Sequence, residues 1–238
     1  MANTPGSESA QLRSQPMTEA VQLEVGLLQN LNVLVWCVAT KEAALVDPAY
    51  EVDRLLAEVA ARGLVVKRVL LTHTHHDHTD GADEVVRATG AVVNVGAGEV
   101  EAARKAAPSA EVVGVVDGDA LPLGEVSISC LGTPGHTVAG ISYLVDGRIL
   151  TGDTLFIGGC GRTDFPGGNP QIMWASLQRL ARLPEETRVY PGHDYGQTPT
   201  STIGWEVTTN PYLLCKTEAD FVALRTGKTP HRPIRGPR

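Results

Sequence analysis

The chain is short of cysteine, and the cysteines it has are scattered. Cys37, Cys130, Cys160 and Cys215 form no C-x-x-C pair and no spacing that reads as a disulfide framework. A reducing, cytoplasmic location is therefore expected. Long apolar runs are missing as well: nothing approaches the roughly 18 residues of a membrane span, and no membrane partner is expected. The opening residues MANTPGSESAQLRSQP are polar and lack a charged stretch followed by an apolar one, so they do not read as a signal peptide. Clustered cations are absent too. Lys and Arg number 20 against 27 Asp and Glu, a net charge of −7, which argues against a nucleic-acid partner and its broad basic footprint. An anionic small substrate stays open, because it needs only a few local cations. No internal repeat at a fixed period is visible.

What is present suits an ordinary globular protein. Of 238 residues, 42% are apolar and 20% charged, enough for one sizeable core. Residues 1–18 are rich in Ser, Gln, Pro and Gly, and are expected to be disordered. Residues 227–238, GKTPHRPIRGPR, read as an extended basic tail, leaving 19–226 as the domain. Within it, short apolar runs alternate with helical patterns. LNVLVWCVA (31–39) and AALV (43–46) read as strands. Val52, Leu55, Leu56 and Val59 line one helix face, and Gly63 is placed to end that helix. VVKRVLL (65–71), AVVNV (91–95), VVGVV (112–116), VSISCL (126–131), ISYLV (141–145), RILTG (148–152) and RVY (188–190) read as further strands. Helices are predicted near Gly81 to Ala88, near Glu99 to Ala107, and from Gln171 to Leu183. A last helix opens on a capping box at Thr217 and Asp220. The order predicts an α/β or α+β fold, with mixed sheets covered by helices.

The seven histidines carry the functional signal. His73, His75, His76 and His78 fall in the run T-H-T-H-H-D-H (72–78), and His136, His193 and His231 lie apart. In an extended segment residues i and i+2 point the same way, so His73 and His75 can grip one metal ion. Asp77 and His78 come as the chain turns into a helix and can reach a neighbouring ion. Imidazole and carboxylate suit zinc and iron(II). A flexible His-rich loop binding adventitious metal is the bland alternative. Against it, His73, His136, Asp153 and His193 each follow the C-terminal end of an apolar strand, where sheets present ligands and catalytic groups. Adjacent glycines leave such loops free to turn. His76 is read as an exposed spectator and His231 as a surface residue.

T-H-T-H-H-D-H resembles the H-x-H-x-D-H signature of the metallo-β-lactamase superfamily. The resemblance continues in order through His136 in G-H-T, Asp153 in T-G-D and His193 in P-G-H-D, and covers residues 21–225. It implies a four-layer αββα sandwich of two mixed β-sheets, with metals at one edge. It further implies that His73, His75 and His136 hold one ion, that Asp77, His78 and His193 hold a second, and that Asp153 bridges them. Two such cations would clamp a hydroxide at neutral pH and direct it at an acyl carbon. Asp77 and Asp153 are thus the candidate catalytic carboxylates.

G-G-C-G-R-T-D-F (158–165) and P-G-H-D-Y (191–195), followed by S-T-I-G and N-P-Y-L, look like two related branches. One is the glyoxalase II-like hydrolases, which cleave thioesters such as S-lactoylglutathione. The other is the persulfide dioxygenases, which oxidise glutathione persulfide to sulfite at a single iron. Both imply substrate-side roles for Arg162, Asp164 and Tyr195. Arg162 suits a glutathione carboxylate; its other reading is a buried ion pair with Asp164. Cys160 reads as a packed thiol, since no base adjoins it. R-T-D-F and H-D-Y favour the dioxygenases. His76, where that branch has Ala, and Gly158, where it has Arg, do not. T-L-F-I-G-G-C-G-R reads more like the small hydrolases, although too few residues follow His193 for the glutathione-binding helical domain of full glyoxalase II. The expected activity is therefore thioester hydrolysis by a metal-bound hydroxide with two divalent ions, zinc for preference. The alternative is a mononuclear Fe(II) dioxygenase built on His73, His136 and Asp153. The expected partner is a small thiol-derived substrate, for example a glutathione conjugate, and a homodimer is left open. A non-catalytic scaffold would be expected to lose a ligand, and none is lost. A true β-lactamase would typically be secreted.

Overall fold

The computed structural model describes residues 17–227. Two six-stranded mixed sheets face each other. The first runs in the order of the chain: β1 (Thr18–Val25), β2 (Asn30–Cys37), β3 (Glu42–Val46), β4 (Val65–Leu70), β5 (Val92–Gly96) and β6 (Val112–Val115). Its first two pairings are antiparallel and its last three parallel. The parallel crossovers are α1 (Val52–Ala61), the short α2 (His76–Thr79) with α3 (Ala82–Thr89), and α4 (Val100–Ala106) after a 3-10 turn, Ala97–Glu99. The second sheet is built from β7 (Ala120–Leu123), β8 (Val126–Gly132), β9 (Ile141–Val145), β10 (Arg148–Gly152), β13 (Arg188–Pro191) and β14 (Ser201–Thr202). A two-residue pair, β11 (Leu155–Phe156) and β12 (Gly159–Cys160), lies beyond β10, and α5 (Pro170–Leu180), α6 (Ile203–Thr209) and α7 (Glu218–Arg225) complete the chain.

Three apolar zones lie between the four layers, two of sheet and two of helix, and strand alternation feeds them. Leu34, Trp36, Leu45 and Val69 point into the layer shared with Leu55, Val59, Val85 and Ala103 of the first helices. Their neighbours Val33, Val35, Ala44, Val46 and Leu70 point the other way, against Ile128, Cys130, Tyr143 and Leu150 of the second sheet. Ile149 and Val189 face outward onto Met173, Leu177, Leu180 and Phe221. Period-2 side chains on strands buried on both faces leave no polar face, which is why β2 is buried along its whole length. The four-layer αββα sandwich expected of the sequence is the architecture found.

The differences lie at the weakly patterned ends. Thr18 falls inside the stretch that composition assigns to disorder, yet it opens β1. Its backbone N–H and its hydroxyl both donate to the Asp146 carboxylate at 2.9 Å. Residues 1–16 and all of the expected tail beyond Gly227, His231 included, lie outside the described residues. No helix among the described residues is long and apolar enough to cross a membrane.

Candidate metal centre

The two sheets meet at one edge, and the strand-end loops converge there. The loop after β4 brings His73 and His75, and α2 brings Asp77 and His78. The loops after β8, β10 and β13 bring His136, Asp153 and His193. Their approach depends on glycines. Gly135 and Gly152 have positive φ, 127° and 49°. Gly192 serves differently: a Cβ there would lie 2.5 Å from Asp153 Oδ1 and 2.9 Å from His78 Cε1, so only a hydrogen fits.

Two groups of ligand atoms result. His73 Nε2 and His136 Nε2 each face His75 Nδ1 at 3.0 Å. Close by, His78 Nε2 faces His193 Nε2 at 3.2 Å, with Asp77 Oδ2 3.4 Å from His193 Nε2. Asp153 lies between the groups: Oδ1 is 3.4 Å from His78 Nε2, and Oδ2 is 3.6 Å from His136 Nε2 and 3.5 Å from His193 Nε2. His73–His75–His136 and Asp77–His78–His193 are thus each compact enough to hold a cation. The chemistry of the donors fits one. Ring nitrogens confront one another with no donor between several of them. Asp153 Oδ1 is buried without a hydrogen-bond partner, an arrangement that is costly unless a cation satisfies it. Among the described residues no Lys or Arg pairs with Asp47, Asp77 or Asp153; only imidazoles do.

The outward nitrogens are fixed by acceptors. His136 Nδ1 donates to the Arg162 carbonyl at 2.7 Å and His193 Nδ1 to the Leu28 carbonyl at 2.9 Å. His78 Nδ1 donates to Asp47 Oδ2 at 3.1 Å. The Thr72 hydroxyl donates to the same oxygen at 2.7 Å and accepts from His73 Nδ1 at 3.0 Å. Asp47 therefore orients one histidine of each group, and Thr72 N–H adds a third bond to it at 2.7 Å. Asn30 does the same for Asp77: its side-chain amide donates to the Asp77 carbonyl at 2.8 Å and to Oδ2 at 3.3 Å. Asp47 and Asn30 escape a search for histidine clusters. Asp47 could have been found by the strand-end rule, since it follows β3 in L-V-D-P.

Charge follows from this packing. Burial would lower His78, but Asp153, the Asp47 hydrogen bond and Asp77 overcome it and raise it to about 9. Burial and neighbouring histidines hold His73 well below its ordinary value, and burial lowers His75. Burial would raise Asp153, yet His78, His193 and His73 keep its carboxyl far below the usual range.

The rim residues take definite places. Arg162 is exposed and forms a two-bond pair with Asp164, Nε to Oδ1 at 2.9 Å and Nη2 to Oδ2 at 2.8 Å. That hydrogen bond pulls Asp164 down to about 2. The expected partner of Arg162 is thus found, but the pair lies at the surface rather than buried. Its guanidinium also stacks on Phe165, 4.4 Å from the ring centroid, and Phe165 packs edge-on against His75 and His136. Tyr195 is half exposed and stacks on His193 at 4.7 Å. His76 points away, its side chain 73% exposed. Cys160 is buried, and burial pushes its thiol up to about 12, as a packed thiol requires.

Comparison with known proteins agrees with this geometry. The metallo-β-lactamase superfamily model matches residues 25–193. A hydroxyacylglutathione hydrolase of Methylobacillus flagellatus is 39% identical, over 80% of this chain and 73% of that protein. ETHE1 from Myxococcus xanthus is 37% identical and superposes with a TM-score of 0.80, covering 90% of this chain and 93% of that one. TTHA1623 in a di-iron-bound form is 34% identical with a TM-score of 0.68, over 81% of this chain and all of that one. The chain spans about half the length, 54%, of a β-lactamase hydrolase-like protein of Xylella fastidiosa to which it is 33% identical. The fold, the converging histidines and aspartates, and these likenesses together make the chain a member of the metallo-β-lactamase superfamily.

Proposed function

We propose that the chain is a dinuclear metal-dependent hydrolase that cleaves a small thioester, with a glutathione conjugate as the model substrate. His73, His75 and His136 would hold one divalent ion and Asp77, His78 and His193 the other, with Asp153 between the two ligand groups. Two ions, when bound, supply an ionised water at neutral pH and positive charge for a developing oxyanion. The protein's own part is positional. The acceptors on His73, His78, His136 and His193 keep each proton on Nδ1 and leave Nε2 free on the inner side. Asp153, held ionised by the imidazoles around it, brings negative charge that two cations require. Tyr195 and Phe165 flank the ligands and limit water at the mouth. Arg162 is the nearby cation for a substrate carboxylate, reached by exchange with Asp164.

The observation that carries this reading is that the second ligand group is as fully anchored as the first. Asp77 is held by Asn30, His78 by Asp47 and His193 by Leu28. Likeness to a di-iron-bound relative and to a hydroxyacylglutathione hydrolase supports it. The second reading, a mononuclear iron dioxygenase, is favoured by R-T-D-F and H-D-Y, and by the His73, His136 and Asp153 face, which leaves positions open. Metal analysis separates the two. Two ions per chain and hydrolysis of S-lactoylglutathione are expected, and His78→Ala should lose one ion and nearly all activity. One iron per chain, retained in His78→Ala, with O2 consumed on adding glutathione persulfide, overturns the hydrolase.

A further inference from the structure

Glu99 has no part in either ligand group, yet its surroundings are unusual for a carboxylate. It closes the 3-10 turn after β5 and is 6% exposed. Among the described residues no Lys or Arg pairs with it. Its acceptors are filled from two different loops. Thr74, which lies between His73 and His75, donates its hydroxyl to Oε2 at 2.7 Å. Thr137, which follows His136, donates its hydroxyl to Oε1, and the Ala139 N–H reaches the same oxygen at 3.3 Å. The approach is built in. A Cβ on Gly96 would fall 1.8 Å from the Ala139 carbonyl oxygen, and one on Gly98 2.9 Å from the Ala139 side chain. Two glycines before Glu99 thus let the backbone of residues 133–140 lie against this turn.

We propose that Glu99 is a positioning residue, whose carboxylate staples the loop of His73 and His75 to the loop of His136. The first ligand group is the one that needs such a staple, because it alone joins these two loops: His75 Nδ1 faces His73 Nε2 from its own loop and His136 Nε2 from the other, each at 3.0 Å. Outside Glu99, a backbone bond from Ile141 N–H to the Thr72 carbonyl at 2.9 Å links the same strands at their base. Glu99 works at the tips, beside the ligands.

The inference rests on the metal-centre reading only for its second readout. In metal-free protein, Glu99→Ala should speed amide exchange in residues 72–76 and in 133–140 together. Glu99→Gln should restore protection, because its Nε2 can donate to Thr74 while Oε1 keeps Thr137 and Ala139. In loaded protein, competition with a chromophoric chelator should show Glu99→Ala weakening one of two ions by roughly tenfold, with Gln restoring it. Exchange that changes in one loop or neither, Gln behaving as Ala, or two ions weakened equally would overturn the staple. A wild-type chain that takes up a single ion sinks the dinuclear reading instead, and the exchange measurement still decides Glu99. If Glu99→Ala is insoluble, Thr74→Val removes one arm; it should loosen 72–76 alone, and unchanged exchange there overturns the proposal.

Discussion

Asp47→Asn is a substitution of one atom that should disable both ligand groups. Asp47 accepts from Thr72 N–H, from the Thr72 hydroxyl and from His78 Nδ1. Oδ1 can keep the backbone bond as an amide oxygen. Oδ2 becomes an NH2, and its two hydrogens point at the Thr72 hydroxyl and at His78. His78 must then accept at Nδ1, so its proton moves to Nε2, the nitrogen that faces His193 and Asp153. Thr72, now accepting from Asn, turns its own hydrogen to His73 Nδ1 and drives that proton to Nε2 as well. One relay thus reverses two tautomers, one in each group. Outer partners of metal-ligating histidines are typically worth roughly 10–100-fold in metal affinity, about 1.4–2.8 kcal/mol, and the loss should fall on both ions. The backbone should hold, because residue 47 has φ 48° and Asn tolerates that region as well as Asp does. Chelator competition measures both dissociation constants, and nitrogen-detected NMR of the metal-free variant above pH 9, where His78 is neutral, reads the tautomers. Unchanged affinity for both ions would refute the relay; loss confined to one ion would refute the branch through Thr72.

Three further outcomes are expected. In the metal-free protein, His78 stands above its ordinary 6.5, at about 9. Its stabilisation, about 3 kcal/mol, is therefore complete below pH 6.5 and lost as pH rises through 9; urea melts that stay flat or strengthen across that window would contradict it. Gly192→Ala places a methyl against Asp153 and His78, and should cost about 1–3 kcal/mol, lowering Tm by roughly 3–10 °C in calorimetry of the metal-free protein; an unchanged Tm would show that the loops give way freely. Arg162→Ala should raise KM for a carboxylated thioester with little change in kcat, and an equal fall in kcat would mean that Arg162 acts through Phe165 and the histidines beneath it.

Strands buried on both faces were readable, because continuous apolar runs such as LNVLVWCVA have no other good use. Helix α1 was readable from Val52, Leu55, Leu56 and Val59 at helical spacing. β1 was not: TEAVQLEV is an edge strand whose Glu19 and Glu24 are exposed and whose middle is only half-buried, and it follows directly on a polar leader. β7 holds a proline, and β11, β12 and β14 are two residues each, below any pattern's length. α6, IGWEVTT, has its buried Glu206 bound to Gly158 N–H and Ser201, so contacts far along the chain define it. At the centre, the histidines announced themselves by clustering and by strand ends. Asp47 and Glu99 obey the same strand-end rule but stand alone in sequence, and their meaning comes from hydroxyls and imidazoles 25 to 40 residues away. Arg162 shows the opposite limit: its motif was plain, yet only geometry revealed that Asp164 already occupies two of its donors.

Each ligand group draws on both halves of the chain. His73 and His75 need His136, and Asp77 and His78 need His193. Neither of these two groups is complete until the two sheets have docked, although Asp47, His73 and His78 already come together on the first half alone. A cation held by either docked group therefore latches the two halves together. Its stabilisation from those two groups should then appear mainly as slower unfolding, read from unfolding rates with metal and with chelator.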